Sequence, residues 1–190
     1  MKYLFIVAFM LSVSLFTYAQ QAPYIYQKTK DANGNIILLG KCSRNALTEA
    51  PFNGWFQPNY DNYIVDTATC QFIKPLLANK RITIFMGTWC GDSKREVPRV
   101  LKMLDCCGFP PERLQIVMVG NSDSLYKRSP MHEEDGRNIV RVPTFIVEED
   151  GKEQGRIVEF PKLSLEKDLL SILRKEKYVP NYGGASVGEK

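Results

Sequence analysis

The feature that most constrains the fold is an abrupt change of pattern, from strand to helix, around residue 90. Residues 81–86 are rich in β-branched and aromatic side chains and predict a short strand. The next residues, 87–93, read Gly-Thr-Trp-Cys-Gly-Asp-Ser, and a helix is predicted from there to about Asp105. Its apolar residues recur at i, i+3, i+4 and i+7: Val97, Val100, Leu101 and Leu104. Cys90 is therefore expected at the start of a helix that packs on a sheet.

The segments that follow complete an alternating order of strands and helices. A nearly continuous apolar run at 114–119 predicts a central strand, and the polar stretch 121–138 is expected to hold a short helix. Two further strands, 142–149 and 152–158, flank an Asp-Gly hairpin turn. A last helix begins after Ser164, its predicted N-cap. This order predicts an α/β fold with a mixed central sheet that is flanked by helices and covered on both faces.

The first 19 residues are typical of a signal peptide. Lys2 precedes an apolar run at 4–16, and a small residue, Ala19, stands at the expected cleavage site. The run is shorter than the roughly 20 apolar residues of a membrane span, although an N-terminal anchor remains the alternative. The protein is therefore expected to be exported, to the periplasm, with no membrane partner after cleavage.

Residues 20–79 are interpreted as an N-terminal extension. Two short strands, about 25–27 and 36–39, flank an Asn-Gly turn and predict a hairpin. A loop containing several aromatic residues is expected at 43–63, followed by a helix at about 66–78 that Pro75 ends or bends. The main domain is expected at 80–178 and a C-terminal tail at 179–190.

The charge of the chain argues against a nucleic-acid partner. The formal net charge is +4, and loss of Lys2 with the signal peptide lowers it to +3. Nucleic-acid-binding proteins usually carry a concentrated basic face. Four basic residues do fall together on the predicted helix, and they are interpreted as its solvated face: Lys94, Arg95, Arg99 and Lys102.

The cysteine count leaves at least one free thiol. The chain has five cysteines, an odd number for an exported protein: Cys42, Cys70, Cys90, Cys106 and Cys107. None are spaced as zinc-ligand pairs and His132 is the only histidine, so a closed zinc site is poorly supported. No metal ligands are assigned, and no cofactor is expected. Cys42 and Cys70 are either a structural disulfide or free. Cys106 and Cys107 are free, linked to each other, or linked to another molecule.

Cys90 is the residue best placed for chemistry. The unpaired backbone N–H groups and the dipole of a helix N-terminus favour negative charge, and the thiolate is the reactive form of cysteine. Gly91 lets the backbone of a partner approach, and Ser93, one turn along, can donate a hydrogen bond to the thiolate. A structural cysteine beside a structural tryptophan is the alternative interpretation.

The motif around Cys90 resembles the active site of the thioredoxin family. Trp89-Cys90-Gly91-Asp92-Ser93 is similar to the family's W-C-x-x-C, and Val142-Pro143-Thr144-Phe145 is similar to its cis-proline segment. A helix-kinking proline at position 98 also matches, and the resemblance covers about residues 80–175. The stretch 87–98, together with the aromatic segment that precedes it, further resembles a group of exported thioredoxin-like proteins from Bacteroidetes-type bacteria. The resemblance implies a thioredoxin fold with a catalytic thiol and a surrounding partner-binding surface of Trp89, Gly91, Asp92, Val142, Pro143 and Thr144.

Two departures from the family pattern point to a monothiol site. Ser93 stands where the family has the second cysteine, which resolves the mixed disulfide, and Ile84 replaces a buried acid. Cys106 lies about 24 Å further along the predicted helix, too far to act as the resolving thiol. The resemblance thus implies a thiol–disulfide oxidoreductase or isomerase acting through Cys90 and Ser93. Isomerase-like exchange, mixed-disulfide reduction and substrate trapping all remain open, with protein or small-molecule thiols and disulfides as partners.

Two other classes of function are considered. A thioredoxin fold that has lost redox work would act as a binding or chaperone module, which the serine at position 93 favours and the retained Trp-Cys-Gly core opposes. A copper metallochaperone would need a second cysteine where the chain has Lys94, so this class is poorly supported.

Overall fold

The computed structural model describes residues 24–182. The predicted signal peptide and most of the predicted tail lie outside the described residues. Strands β1 to β6 span Tyr26–Lys30, Ile36–Cys42, Lys80–Met86, Leu114–Met118, Thr144–Glu149 and Lys152–Val158. Helices α1 to α5 span Asn45–Thr48, Asn53–Asp61, Thr67–Ile73, Gly91–Cys106 and Leu165–Leu173. Within residues 24–182, no helix combines the length and apolar character needed to cross a bilayer.

The strands form one mixed sheet in the order β1-β2-β4-β3-β5-β6. Strands β3 and β4 are parallel, with Ile84 opposite Ile116, and the other neighbours are antiparallel. The connection between two parallel neighbours runs through α4, as a crossover requires. The predicted α/β fold, a mixed central sheet flanked by helices, is confirmed and is compatible with a thioredoxin-like fold.

The N-terminal hairpin belongs to this sheet. Strands β1 and β2 pair across a turn in which the Asp31 carboxylate accepts hydrogen bonds from the backbone N–H groups of Asn33 and Asn35. Strand β2 then pairs with β4, with Lys41 opposite Val117. The hairpin, predicted as part of an extension preceding the main domain, therefore adds two strands to the edge of the central sheet.

The prediction of a loop at 43–63 is wrong, because this segment contains α1 and α2. Phe52, Phe56 and Tyr60 follow one another at helical i, i+4 spacing, and the rings of Phe56 and Tyr60 stack at 6.0 Å. This face packs against α4, where the Tyr60 hydroxyl donates a 2.6 Å hydrogen bond to Asp105. Gly54 and Pro58 are residues typical of loops, which is why a loop was predicted, yet both lie within the helix.

The helix predicted at 66–78 forms and ends early. Asp66 is the N-cap of α3, and its side chain accepts a 3.0 Å hydrogen bond from the Thr69 N–H. Pro75 lies in a 3₁₀ turn, Lys74–Leu77, that follows α3 directly. Pro75 thus changes the helix type at the expected place.

The buried residues form two clusters, one on each face of the sheet. The larger includes residues from all five described helices. The smaller centres on Phe85, Val117 and Ile146, with Trp89 and Cys90 packed at its margin. It lies beside the segment 119–142, where the predicted short helix is only a 3₁₀ turn, Asp123–Leu125. Left-handed backbone at three residues interrupts any longer helix there: Lys127, His132 and Asn138.

Candidate active site

Cys90 is the N-cap residue of α4. Its backbone is extended, with φ −84° and ψ 128°, and its N–H donates to the Gly87 carbonyl at 3.0 Å. The Cys90 carbonyl accepts the first helical hydrogen bond from Lys94 at 3.0 Å. The side chain is half-buried. The predicted position of this thiol, where β3 gives way to a helix, is therefore the observed one.

The second motif faces Cys90. The Val142–Pro143 peptide bond is cis, and the Cys90 thiol donates a hydrogen bond to the Val142 carbonyl oxygen, with Sγ 3.1 Å from that oxygen. The side chain of Val142 is buried in the smaller cluster, so this residue presents backbone, not side chain, to the thiol. The two segments that the sequence singled out separately thus meet at one place.

Trp89 is held firmly beside the thiol. Its indole Nε1–H donates a 2.8 Å hydrogen bond to the Val119 carbonyl, just beyond the end of β4. The ring lies against Gly87, where an added Cβ would fall 2.4 Å from Nε1. The Tyr126 ring is a neighbour of the indole, with ring centroids 6.2 Å apart.

Sequence reasoning missed the residues that support Trp89. Val119 contributes its backbone carbonyl and Gly87 its lack of a side chain, and neither property can be recognised as a sequence motif. Tyr126 is the single aromatic residue in the polar stretch 121–138, and this was the one available signal. It is 55% exposed, and its side chain forms a wall beside the site.

Ser93 does not have the predicted contact. It is fully buried, and its Oγ accepts a 3.3 Å hydrogen bond from the Gly87 N–H instead of donating to Cys90. The first turn of α4 directs this side chain towards the protein interior, under the loop that carries Trp89. Ser93 therefore ties the site loop to the helix.

The remaining predicted site residues differ in what they offer a partner. Gly91 is exposed, and nothing lies within 4 Å of a Cβ added there, so the approach to its backbone is open. Asp92 is half-buried and forms a 2.7 Å ion pair with Arg95. Thr144 is buried, and its hydroxyl donates to the Arg141 carbonyl at 2.7 Å. Its side chain therefore stabilises the cis-proline loop and does not face a partner.

The described start of the tail lies close to this loop. Asn181 donates a 2.7 Å hydrogen bond to the Phe160 carbonyl, and Glu159 N–H donates to the Pro143 carbonyl at 2.7 Å. The Arg141 guanidinium lies 5.0 Å from the Tyr182 ring centroid. A hydrogen bond with Glu159, and then the charge of that carboxylate, raise the pKa of Tyr182. These contacts were not predicted from the sequence.

Two further groups of polar side chains lie outside the two motifs that meet at Cys90. Cys106 and Cys107 stand at the far end of α4, as predicted, so neither can resolve a disulfide at Cys90. The ligand atoms of His132, Glu134 and Asp135 lie within 4.8 Å of one another, but His132 and Asp135 are exposed. Burial opposes ionisation of Glu134, but hydrogen bonds from Ser129 outweigh it and lower the pKa of this carboxyl.

Comparison with known proteins relates the chain to thioredoxins. The mitochondrial thioredoxin-3 of Saccharomyces cerevisiae is 26% identical over 115 residues, which cover 60% of this chain and 83% of that protein. No model of a known protein family matches the chain.

Two solved structures share the fold at 14% identity. A protein of unknown function from Pseudomonas aeruginosa has a TM-score of 0.52, covering 71% of this chain and 92% of its own. An HIV epitope scaffold has a TM-score of 0.51, covering 73% and 94%. The distant similarity to a thioredoxin supports a thioredoxin-like family and, in general terms, a redox role for this chain.

Proposed function

We propose that this protein is a monothiol thioredoxin-like protein that carries out thiol–disulfide exchange through Cys90. The observation that carries the proposal is the contact between Cys90 Sγ and the Val142 carbonyl, 3.1 Å apart beside a cis proline. A partner chain that pairs with the backbone of Val142 would bring its sulfur next to this thiol. The open approach over Gly91 and the wall formed by Trp89 and Tyr126 suit an extended peptide.

The proposed chemistry is a pair of exchange steps. The Cys90 thiolate attacks one sulfur of a disulfide R–S–S–R′, forms Cys90–S–S–R and expels R′–S⁻, which takes a proton from water. A second thiol R″–SH, as its thiolate, then attacks the sulfur bonded to R; the bond to Cys90 breaks, Cys90 leaves as a thiolate, and R–S–S–R″ forms. Ser93 has no sulfur to perform the second step, so the mixed disulfide persists until that thiol arrives from solution.

The test is capture of the mixed disulfide. The full chain is incubated with a disulfide-containing peptide, quenched with an alkylating agent, and its adducts are located by mass spectrometry. Adducts on Cys90 are expected in the wild type and in Cys106→Ala, which removes another accessible thiol. They should disappear in Cys90→Ala and on adding a reductant. Equal adduct levels in Cys90→Ala would overturn the assignment.

The lack of a second cysteine also bears on a second function. Ser93 is fully buried and hydrogen-bonded to Gly87, so it stabilises the loop that carries Trp89. A structural role without catalysis is what a protein that only binds its partner would require of this residue. If the wild type binds the peptide reversibly but forms no adduct, this binding function replaces the exchange function.

The proposal includes export to the periplasm, where disulfides persist. It is supported by the signal-like segment at 1–19. Fractionation of cells producing the full chain should place a protein shortened by about 19 residues in the periplasmic fraction, with its new N-terminus near Gln20. Recovery of the full-length protein in the cytosol would contradict export and leave the exchange chemistry to be judged by adduct capture.

A further inference from the structure

Three cysteines converge at the end of α4 remote from Cys90. Cys70, in α3, is 4% exposed, and Cys107, the C-cap of α4, is 1% exposed. Their Sγ atoms lie 2.8 Å apart. Cys106 directly precedes Cys107 in the chain and is exposed. This cluster plays no part in the function proposed for Cys90.

The backbone holds the two buried sulfurs in place. The Cys107 N–H donates a 2.9 Å hydrogen bond to the Met103 carbonyl, and the Cys70 N–H donates a 3.0 Å hydrogen bond to the Asp66 carbonyl. Both side chains belong to the larger hydrophobic cluster. A disulfide bond is about 2.05 Å long, so the two sulfurs need to approach by less than one ångström to form it.

We propose that Cys70 and Cys107 form an intramolecular disulfide, and that the exposed Cys106 is the thiol through which this bond is made and broken. The site is independent of Cys90 and does not require the function proposed for that residue. Burial raises the pKa of both Cys70 and Cys107, so these thiols react poorly with reagents in solution. Cys106 is exposed to solution and stands next to Cys107 in the chain.

The oxidation balances as three exchanges with a small-molecule disulfide, R–S–S–R. The Cys106 thiolate attacks it, forming Cys106–S–S–R and releasing R–S⁻. The Cys70 thiolate attacks the Cys106 sulfur and expels the second R–S⁻. The Cys107 thiolate then attacks the Cys70 sulfur and returns Cys106 as a thiolate. Cys70 and Cys107 together lose two protons and two electrons, and R–S–S–R becomes two R–SH.

The geometry disfavours the pairings suggested by sequence order alone. Successive residues of a helix point about 100° apart around its axis, which is why Cys106 is exposed while Cys107 is buried. That divergence opposes a Cys106–Cys107 bond. The sulfur of Cys70, which the sequence left as a possible partner of Cys42, is directed at Cys107.

Peptide mapping of the oxidised full chain tests the proposal. The protein is treated with oxidised glutathione, alkylated under denaturing conditions without reduction, and digested with trypsin. Residues 103–113 are expected in disulfide linkage to the peptide that contains Cys70, with a mass two hydrogens below the sum of the two peptides. Because trypsin leaves Cys106 and Cys107 on one peptide, the bond is assigned in Cys106→Ser, where the same linkage must form through Cys107.

Rates distinguish the role of Cys106. Cys106→Ser should form the bond at least about tenfold more slowly, since the exposed attacking thiol is lost. Cys42→Ser and Cys90→Ser should form it at the wild-type rate, and the second variant separates this site from the exchange function at Cys90. Recovery of Cys70 fully alkylated after oxidation, or linked to Cys42, would overturn the disulfide. An unchanged rate in Cys106→Ser would overturn the role of Cys106.

Discussion

The Cys90 sulfur lies 3.1 Å from the carbonyl oxygen of Val142, although the two residues are 52 positions apart in the chain. In the free protein that oxygen accepts the thiol hydrogen. Once the thiol ionises, the hydrogen bond is lost and the carbonyl becomes available to a backbone N–H of a partner. An extended partner that pairs with Val142 is therefore expected to replace the thiol at this carbonyl oxygen.

Restoring the missing thiol should convert the site to a dithiol. In Ser93→Cys, positions 90 and 93 occupy the start of α4 and its first turn, as Cys-x-x-Cys requires. Disulfide reductase turnover in the presence of dithiothreitol, followed with an insulin substrate, should rise at least about tenfold because release no longer waits for a thiol from solution.

Ser93→Ala serves as the control, because it removes the Oγ that accepts from Gly87 without supplying sulfur. Its turnover should stay at or below that of the wild type. If Ser93→Cys forms no disulfide with Cys90 on mild oxidation, the assumption that the two side chains can meet is wrong, since the serine side chain is directed inward in the free protein.

The aromatic wall should matter more for peptides than for small disulfides. Tyr126→Ala removes a 55% exposed ring next to Trp89, so the free energy of unfolding should fall by less than about 1 kcal/mol. Exchange of Cys90 with a disulfide-containing peptide should slow by about twofold to tenfold, the worth of one aromatic contact, while exchange with oxidised glutathione changes little.

Phe72→Ala is the matched control for the wall, since Phe72 is 58% exposed and lies on α3, away from the site. Exchange rates of this variant should equal those of the wild type for both substrates. Equal slowing of peptide and glutathione exchange in Tyr126→Ala would mean that the ring supports Trp89 and Cys90 without contacting the partner.

Two glycines beside Cys90 should respond differently to substitution by alanine. In Gly87→Ala the new Cβ would lie 2.4 Å from the Trp89 Nε1, so the indole must move and lose its bond to Val119. Overpacking of this kind costs about 1–3 kcal/mol in the free energy of unfolding, measured by urea titration. Gly91→Ala meets nothing within 4 Å and should leave stability unchanged.

The same pair separates stability from binding. Gly91→Ala should slow exchange with a peptide disulfide, because the added methyl group stands where the backbone of a partner approaches, and should leave exchange with oxidised glutathione nearly unchanged. If Gly91→Ala slows exchange with neither substrate, the partner does not approach over Gly91 and contacts only the Val142 side of the site.

Much of the fold could be predicted because periodicity and turn chemistry are local. The strand before Cys90, the Asp150-Gly151 turn and the Ser164 cap each follow from a few neighbouring residues, and all three form. Helix α2 was missed although Phe52, Phe56 and Tyr60 carry its period. Gly54 and Pro58 are typical of loops, and packing of that aromatic face on α4 outweighs their low helix propensity.

The candidate site was only partly predictable, for a different reason. Motifs identify residues whose side chains carry chemistry, such as Cys90, but not those that act through backbone or absence of bulk, such as Gly87 and Val119. The direction of Ser93 depends on how α4 is rotated against the sheet, which is a property of tertiary packing. The approach of Cys70 to Cys107 joins two helices across the core, and no spacing rule connects them.

The buried thiol of Cys42 should make stability depend on alkaline pH. Burial, reinforced by the charge of Glu49, raises the pKa of Cys42 from 9.0 to about 12. Above pH 9 the unfolded chain loses this proton while the folded chain keeps it, so the free energy of unfolding should fall between about pH 9 and pH 12. Urea titrations at several pH values should show that the free energy of unfolding falls with pH less steeply in Cys42→Ala than in the wild type, by up to about 1.4 kcal/mol per pH unit.

Leu47→Ala is the control, because it removes a buried side chain that does not titrate, and it should lower stability equally at every pH. Identical slopes in Cys42→Ala and wild type would show that this thiol ionises as readily in the folded protein as in the unfolded chain.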